Sequence, residues 1–348
     1  MSIARLFGIG IPLVQAPMAG VQAGALAAAV SEAGALGSLP CALLTLDGMV
    51  KELELIRSRT RRPYNVNFFC HVPPAPDARR EQAWRAELEP HYREFGIDPA
   101  SIPAGPGRAP FTREAADALE PFRPAVVSFQ FGLPDAALVA RVKGWGSKVI
   151  GCATTVEEAL WLEARGVDAV VAQGVEAGGH RGNFLTHDLT TQLGTLALVP
   201  QVARAVKVPV IAAGGIAQAQ CVAAAMALGA AGVQVGTSFL LCPEATTSAV
   251  HRAALKGGAA HHTALTNVFT GRPARGIVNR VMREHGPIND GAPEFPLATA
   301  AMAPLRAKAE AQGSGDFSPL WSGQNASGCR EAPAAELVHE LAAGLAHA

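Results

Sequence analysis

Aromatic residues are scarce in this chain. Phe, Trp and Tyr together make up 5% of its 348 residues, and only two are tyrosines. Charge is scarce too, at 17%, with 29 basic residues against 29 acidic ones. A basic footprint for nucleic acid is therefore excluded. No run of 18 or more apolar residues lacks charges and breakers, so no membrane span is expected. The N-terminus, MSIARLFGIGIPLVQ, shows no apolar segment leading to a small-residue cleavage site, and the expected location is the cytoplasm. The six cysteines, Cys41, Cys70, Cys152, Cys221, Cys242 and Cys329, form no C-x-x-C pair and read as scattered buried thiols rather than a disulfide framework. No strand–G-x-G-x-x-G–helix unit occurs, which disfavours a Rossmann dinucleotide site. The adjacent pair His261–His262 has no Cys or carboxylate cluster beside it, and neighbours on an extended chain point apart. These histidines are expected in solvent and no metal site is expected.

Short aliphatic runs alternating with helical patterns dominate. The runs are PLVQAP (12–17), GALGSL (34–39), YNVNFF (64–69), AVVSFQ (125–130), KVIGCA (148–153), AVVAQG (169–174), PVIAAGG (209–215) and GVQVGTSF (232–239). Several are apolar on both faces, as covered parallel strands should be. Helical segments between them end on Gly34, Gly166 and Gly229, where a left-handed cap is wanted. One opens with Thr155 followed by Glu158, a capping box. Eight β-then-α units in this length predict a (β/α)8 TIM barrel over residues 1–243, with a doubly wound sheet as the alternative. Residues 70–111, proline-rich and then charged, read as an insertion. Residues 244–320 read as a lid or small substrate domain after the eighth strand, with irregular sequence around GRPARG. Residues 321–348 end in an amphipathic helix expected to pack back on the barrel.

Barrel active sites are built at the C-terminal ends of the strands. There the sequence places Ala16, Pro17 and Met18 after the first strand and Asn67 on the third. Ser128 and Gln130 lie on the fourth, and are the candidates for substrate contact. QGVEAGGHRG follows the sixth strand with Gln173, Gly178, Gly179 and His180. Gly214 and Gly215 follow the seventh, and Gln234, Val235, Gly236 and Thr237 belong to the eighth. Two glycine clusters on successive strands, each opening a helix, suit a phosphate, because bare backbone N–H groups can point at the anion. Amides at strand ends suit a heteroaromatic ring with its own donors and acceptors. Phosphate plus ring amides in a barrel suggests FMN. The plainer alternatives remain open: a GG pair can be only a tight turn, Gln130 a core amide, and His180 a structural histidine.

In order along the chain, QAPMAG, SFQFGLP, QGVEAGGHRG, VPVIAAGGI, GAAGVQVGTSFLLCPEA, TGRPARGIVNR and SGQNASGCREAPAAELV resemble the nitronate monooxygenases, formerly 2-nitropropane dioxygenases, and most closely their class I. The resemblance spans almost the whole chain and is weakest over 71–111. It implies an FMN-bound TIM barrel that oxidises alkyl nitronates such as propionate 3-nitronate with O2, without a metal, to a carbonyl compound plus nitrite or nitrate. A one-electron flavin semiquinone step is the expected route. The resemblance puts flavin contacts on Asn67, Gln173, Gly178, Gly215 and the run Gln234–Val235–Gly236–Thr237, and the catalytic role on His180. It also marks a departure: where such enzymes often read SFHFG, this chain has Gln130, an amide that cannot carry a histidine's positive charge. The implied partners are a small nitronate and O2, with the chain a monomer or homodimer. The rival expectation is an NAD(P)H-dependent FMN reductase acting on enoyl thioesters or quinones on the same barrel.

Overall fold

Each of the eight aliphatic runs forms a strand in the computed structural model, which describes residues 2–103 and 108–347. The strands are β1 (Leu13–Gln15), β2 (Gly37–Pro40), β3 (Tyr64–Phe69), β4 (Val126–Gln130), β5 (Lys148–Ala153) and β6 (Ala169–Gln173). A two-residue strand absent from the sequence reading, β7 (Gly179–His180), follows, and then β8 (Val210–Ala213) and β9 (Gly232–Val235) complete the set. All pairings in the main sheet are parallel, in the order β1-β9-β8-β6-β5-β4-β3-β2. A parallel bridge from Val14 to Leu36 joins the two ends, so the sheet closes as a TIM-type α/β barrel.

The period of two along each strand divides the side chains between two cores. Val14, Leu36, Val126, Ile150, Val171 and Ile211 pack inside the barrel with Ile3 and Phe7 of the short helix Ile3–Phe7. Val66, Val127, Val149, Val170, Ala212 and Val233 point outward under the surrounding helices. A fully buried Val, Leu or Ile contributes roughly 1.5–3 kcal/mol, so this double layer supplies most of the driving force. The three expected glycine stops hold, with φ of 93° at Gly34, 80° at Gly166 and 98° at Gly229. Thr155 caps the helix Val156–Ala164 by accepting from the Glu158 N–H, but the reciprocal bond differs from a capping box. The buried Glu158 carboxylate instead accepts from Thr154 N (2.7 Å) and from Phe184 N and Leu185 N, tying β5 to the loop after β6.

The segment around GRPARG is more regular than expected. β10 (Thr263–Thr266) and β11 (Ala274–Ile277) form an antiparallel pair, and β11 also pairs with β7, opposing Ala274 to His180. A separate buried cluster joins Trp84, Leu88 and Tyr92 to Val268, Phe269, Met302 and Phe317, so side chains from 84–102 and 268–317 share one core. Residues 104–107 of the expected insertion lie outside the described residues. The helix Ala334–Ala342 buries Leu337, Val338 and Leu341 against the barrel's helical layer. Among the described residues no helix is long and apolar enough to cross a membrane, all six cysteines are free, and His261 and His262 are exposed.

Candidate active site

A cleft opens at the C-terminal ends of the barrel strands and spans about 1260 Å³ including its mouth. Ala16, Pro17, Met18, Asn67, Gln130, Gln173, Gly178, Gly179, His180, Gly214, Gly215, Gln234, Gly236 and Thr237 all line it. Two of the expected site residues do not. The Val235 side chain packs into the helical layer. Ser128 lies beneath, its Oγ accepting from Asn67 Nδ2 and Asn65 Nδ2, both at 2.9 Å. Ser128 thus orients Asn67.

At one end the wall is main chain. Gly214 and Gly215 have φ of 121° and 70°, conformations that turn the backbone sharply after β8. Gly178 packs so closely on the C-terminal segment that a Cβ there would sit 2.5 Å from the Gly323 nitrogen. Among the described residues, the N–H groups of Gly215, Ile216, Gly236 and Thr237 have no protein acceptor. Unpaired donors cost free energy unless an anion or water meets them. The cradle is closed by a segment whose residues sequence reasoning did not assign to the site. Asn325 Nδ2 donates to the Gly215 carbonyl (3.0 Å) and Gly323 N donates to Thr237 Oγ1 (3.0 Å). Gly323, Asn325 and Trp321 line the cleft. The Gly, Ser and Asn cluster in SGQNASG was the available signal. This end fits a phosphate, and the amides of Asn67, Gln173 and Gln234 beside it fit a polar ring edge.

At the other end the wall is side chain. His180 is held at three points. Its carbonyl accepts from Gln173 Nε2 (3.1 Å) and Gln130 Nε2 (3.3 Å). Its backbone lies in the β7–β11 pairing. Its Nε2 lies 2.9 Å from Thr270 Oγ1. Gln173 also accepts from Gly182 N (2.8 Å), so this amide pins the backbone that leaves the histidine. Arg181, fully buried, donates to the Gly174 and Gln173 carbonyls (2.6 and 2.7 Å) and to Gln192, anchoring the same loop from behind. The rings of Phe69, Phe131, Phe295 and Trp321 surround His180, with centroids 6.2, 6.0, 5.3 and 5.6 Å away. Burial holds the His180 imidazole well below the usual histidine range, and the charges of Arg108 and Arg272 and the neighbouring His71 push the same way. The ring is therefore neutral near pH 7.

Two arginines near this end were missed. Arg272 is stacked on Phe131 (3.9 Å) and donates to the Asn183 carbonyl, and it does not line the cleft. Arg108 does line it, 5.3 Å from the Phe295 ring centroid. Burial lowers its pKa to about 10, so it remains a cation at neutral pH. Its signal in the sequence was faint, a lone Arg in the proline- and glycine-rich part of the insertion.

Comparison with known proteins shows the family and the fold. The family model described as nitronate monooxygenase matches residues 2–344. A nitronate monooxygenase of Pseudomonas aeruginosa is 44% identical over 97% of both chains. One from Paraburkholderia phytofirmans is 42% identical over 98% of this chain and 93% of its own. The crystal structure of nitroalkane oxidase from Streptomyces ansochromogenes superposes with a TM-score of 0.90 at 40% identity, over 99% of this chain and 98% of the other. FabK from Thermotoga maritima is also similar, with a TM-score of 0.75 at 26% identity, over 99% and 96% of the two chains. The chain belongs to the nitronate monooxygenase family of oxidoreductases.

Proposed function

We propose that this protein binds FMN in the cleft and oxidises alkyl nitronates of the propionate 3-nitronate type with O2, giving a carbonyl compound and nitrite or nitrate. One observation carries the reading: the same cavity joins unpaired main-chain donors after β8 and β9 to a half-buried, neutral His180. Bound flavin supplies the electron acceptor for the electron-rich nitronate carbon and the route to O2.

The chain's own residues do the rest. The N–H groups of Gly215, Ile216, Gly236 and Thr237 would hold the phosphate, with Gly179 leaving open space beside it, while Gly178 and Gly214 would border it through their backbone, lacking the Cβ that would strike Gly323 and Thr195. Asn67, Gln173 and Gln234 would meet the ring's polar edge, Val235 contributes through its backbone, and Ala16, Pro17 and Met18 form the strand-end wall. His180 hydrogen-bonds the substrate, and takes the α-proton when the substrate arrives as a neutral nitroalkane. Thr270 Oγ1 is also 3.4 Å from the Arg272 carbonyl, and donating there leaves its oxygen to accept from His180 Nε2. That arrangement leaves Nδ1 as the basic nitrogen. Gln130 acts on the substrate side and Ser128 through Asn67. Residues 244–320, with part of the 70–111 insertion, serve as the lid over the barrel of residues 1–243, and 321–348 pack back to close the phosphate end.

The test is an oxygen electrode. FMN-loaded protein should consume O2 with propionate 3-nitronate and release nitrite or nitrate. Absence of uptake with several alkyl nitronates would end this reading.

A further inference from the structure

We propose that Arg108 anchors a second anionic group on the substrate, a carboxylate carried by the nitronate, and so sets the preference for carboxylated over simple alkyl nitronates. This rests on the function proposed above.

The cleft has one fixed charge. Among the described lining residues Arg108 is the lone Arg or Lys, and none is Asp or Glu. Its guanidinium makes no hydrogen bond or ion pair to a described residue, and its Nη1 is buried without a partner. Residues 104–107 are Ala, Gly, Pro and Gly, so they bring no carboxylate either. The other arginines of the region are engaged. Arg181 donates to three acceptors, Arg272 to the Asn183 carbonyl, and Arg275 to the Val175 carbonyl (2.8 Å) and Thr263. A half-buried cation without a counterion is costly, and an arriving carboxylate that fits the guanidinium fork removes that cost.

The sequence departure at Gln130 gives the arginine its role. The Gln130 amide at the end of β4 is turned to the His180 carbonyl and bears no charge. Positive charge enters the cleft from the insertion instead. Because Arg108 belongs to neither the barrel strands nor the loop of His180, it can select the substrate's tail while His180 addresses the reacting carbon.

The experiment compares kcat/KM for propionate 3-nitronate and 1-propylnitronate, which have the same carbon count and differ by the carboxylate. FMN-loaded wild type, Arg108→Gln and Arg108→Lys are measured, with FMN content and melting temperature as controls. Succinate, an unreactive dianion of similar length, is the competitive probe. Wild type should prefer the carboxylated substrate. Arg108→Gln should shrink that preference about 10- to 100-fold, the range for one charged hydrogen-bonded contact. Arg108→Lys should keep part of it, and succinate inhibition should weaken in parallel. If Arg108→Gln does not hold FMN, the Lys variant and wild-type succinate inhibition decide. An equal loss on both nitronates, an unchanged ratio, or wild type blind to succinate would overturn the proposal. Wild type oxidising neither nitronate would be a failure of the proposed function itself.

Discussion

At one end of the cleft Gly215, Ile216, Gly236 and Thr237 present main-chain N–H groups, all from the turns directly after two adjacent strands. Around His180, by contrast, Phe69, Arg108, Phe295 and Trp321 come from four further segments distant in sequence. The first end needs only the right turns after the right strands, so it depends on glycine conformations. The second needs a barrel, an insertion, the segment that carries Phe295 and a C-terminal segment to be in place together. A cofactor that is always present can be held by backbone, whereas selection among substrates calls for side chains that can be exchanged without disturbing the barrel.

Substitutions at the two ends should therefore separate cofactor binding from chemistry. His180→Asn keeps a donor of similar reach but no base near neutral pH. It is expected to lose activity on neutral nitroalkanes by about 10²–10⁴-fold, the usual worth of a general base, and far less on pre-formed nitronates. FMN content should stay normal. Equal losses on both substrate forms would reduce His180 to an orienting group. In wild type, burial and neighbouring cations keep the imidazole neutral, so the rate on neutral nitroalkanes should hold as pH falls through 6.5 and drop only well below it. A fall centred on pH 6.5 would show the group in solvent.

Gly215→Asp puts a carboxylate at the phosphate cradle, and FMN affinity should fall about a hundredfold or more, read by equilibrium dialysis. Gly215→Asn carries the same backbone strain at φ 70° without the charge, so it should retain more flavin. Identical loss in both variants would mean that conformation alone is at work.

A third effect concerns the wall between the two ends. His251 is buried and lies 3.1 Å from the Trp321 carbonyl, and burial lowers its pKa to about 4. The folded state then binds fewer protons than the unfolded state below pH 6.5. The stability it contributes is complete above 6.5 and is lost as pH falls toward 4, by roughly 3 kcal/mol at most. Denaturant titrations from pH 7 to 4 should show this slope, and His251→Gln should flatten it. An unchanged slope in the variant would assign it to other groups.

The smallest change is expected from Gln130→His. An imidazole at the cleft wall near Arg108 would resist protonation, so kcat/KM for anionic nitronates should improve only a few-fold and only at low pH. A large gain at pH 8 would contradict the placement of charge at Arg108.

The first end was largely readable in the sequence because each of its parts is local. Strand, glycine and helix follow one another in PVIAAGGI and in GVQVGTSF, and short aliphatic runs located all eight barrel strands. The second end was readable at His180, where a histidine interrupts a glycine run, and at Gln130, at the end of its strand. Gln173 illustrates the difficulty. The sequence placed it at the site, but not its bonds to His180 and Gly182, which exist because the loop folds back as β7. Ser128 was placed on the correct strand end yet faces Asn67, since its orientation depends on the register of β3 and β4. Arg108 and Thr270 carry no local pattern at all. Their positions follow from tertiary packing of the insertion and of the 263–277 hairpin.

The proposed function requires that a nitronate in this cleft pass electrons to a bound flavin. The most direct test is the anaerobic absorption spectrum of the FMN-loaded protein, recorded after adding propionate 3-nitronate and, separately, NADH. The nitronate is expected to change the oxidised flavin spectrum promptly, and NADH to leave it unchanged on the same timescale. Bleaching by NADH with no response to the nitronate would contradict this and favour a reductase on the same barrel.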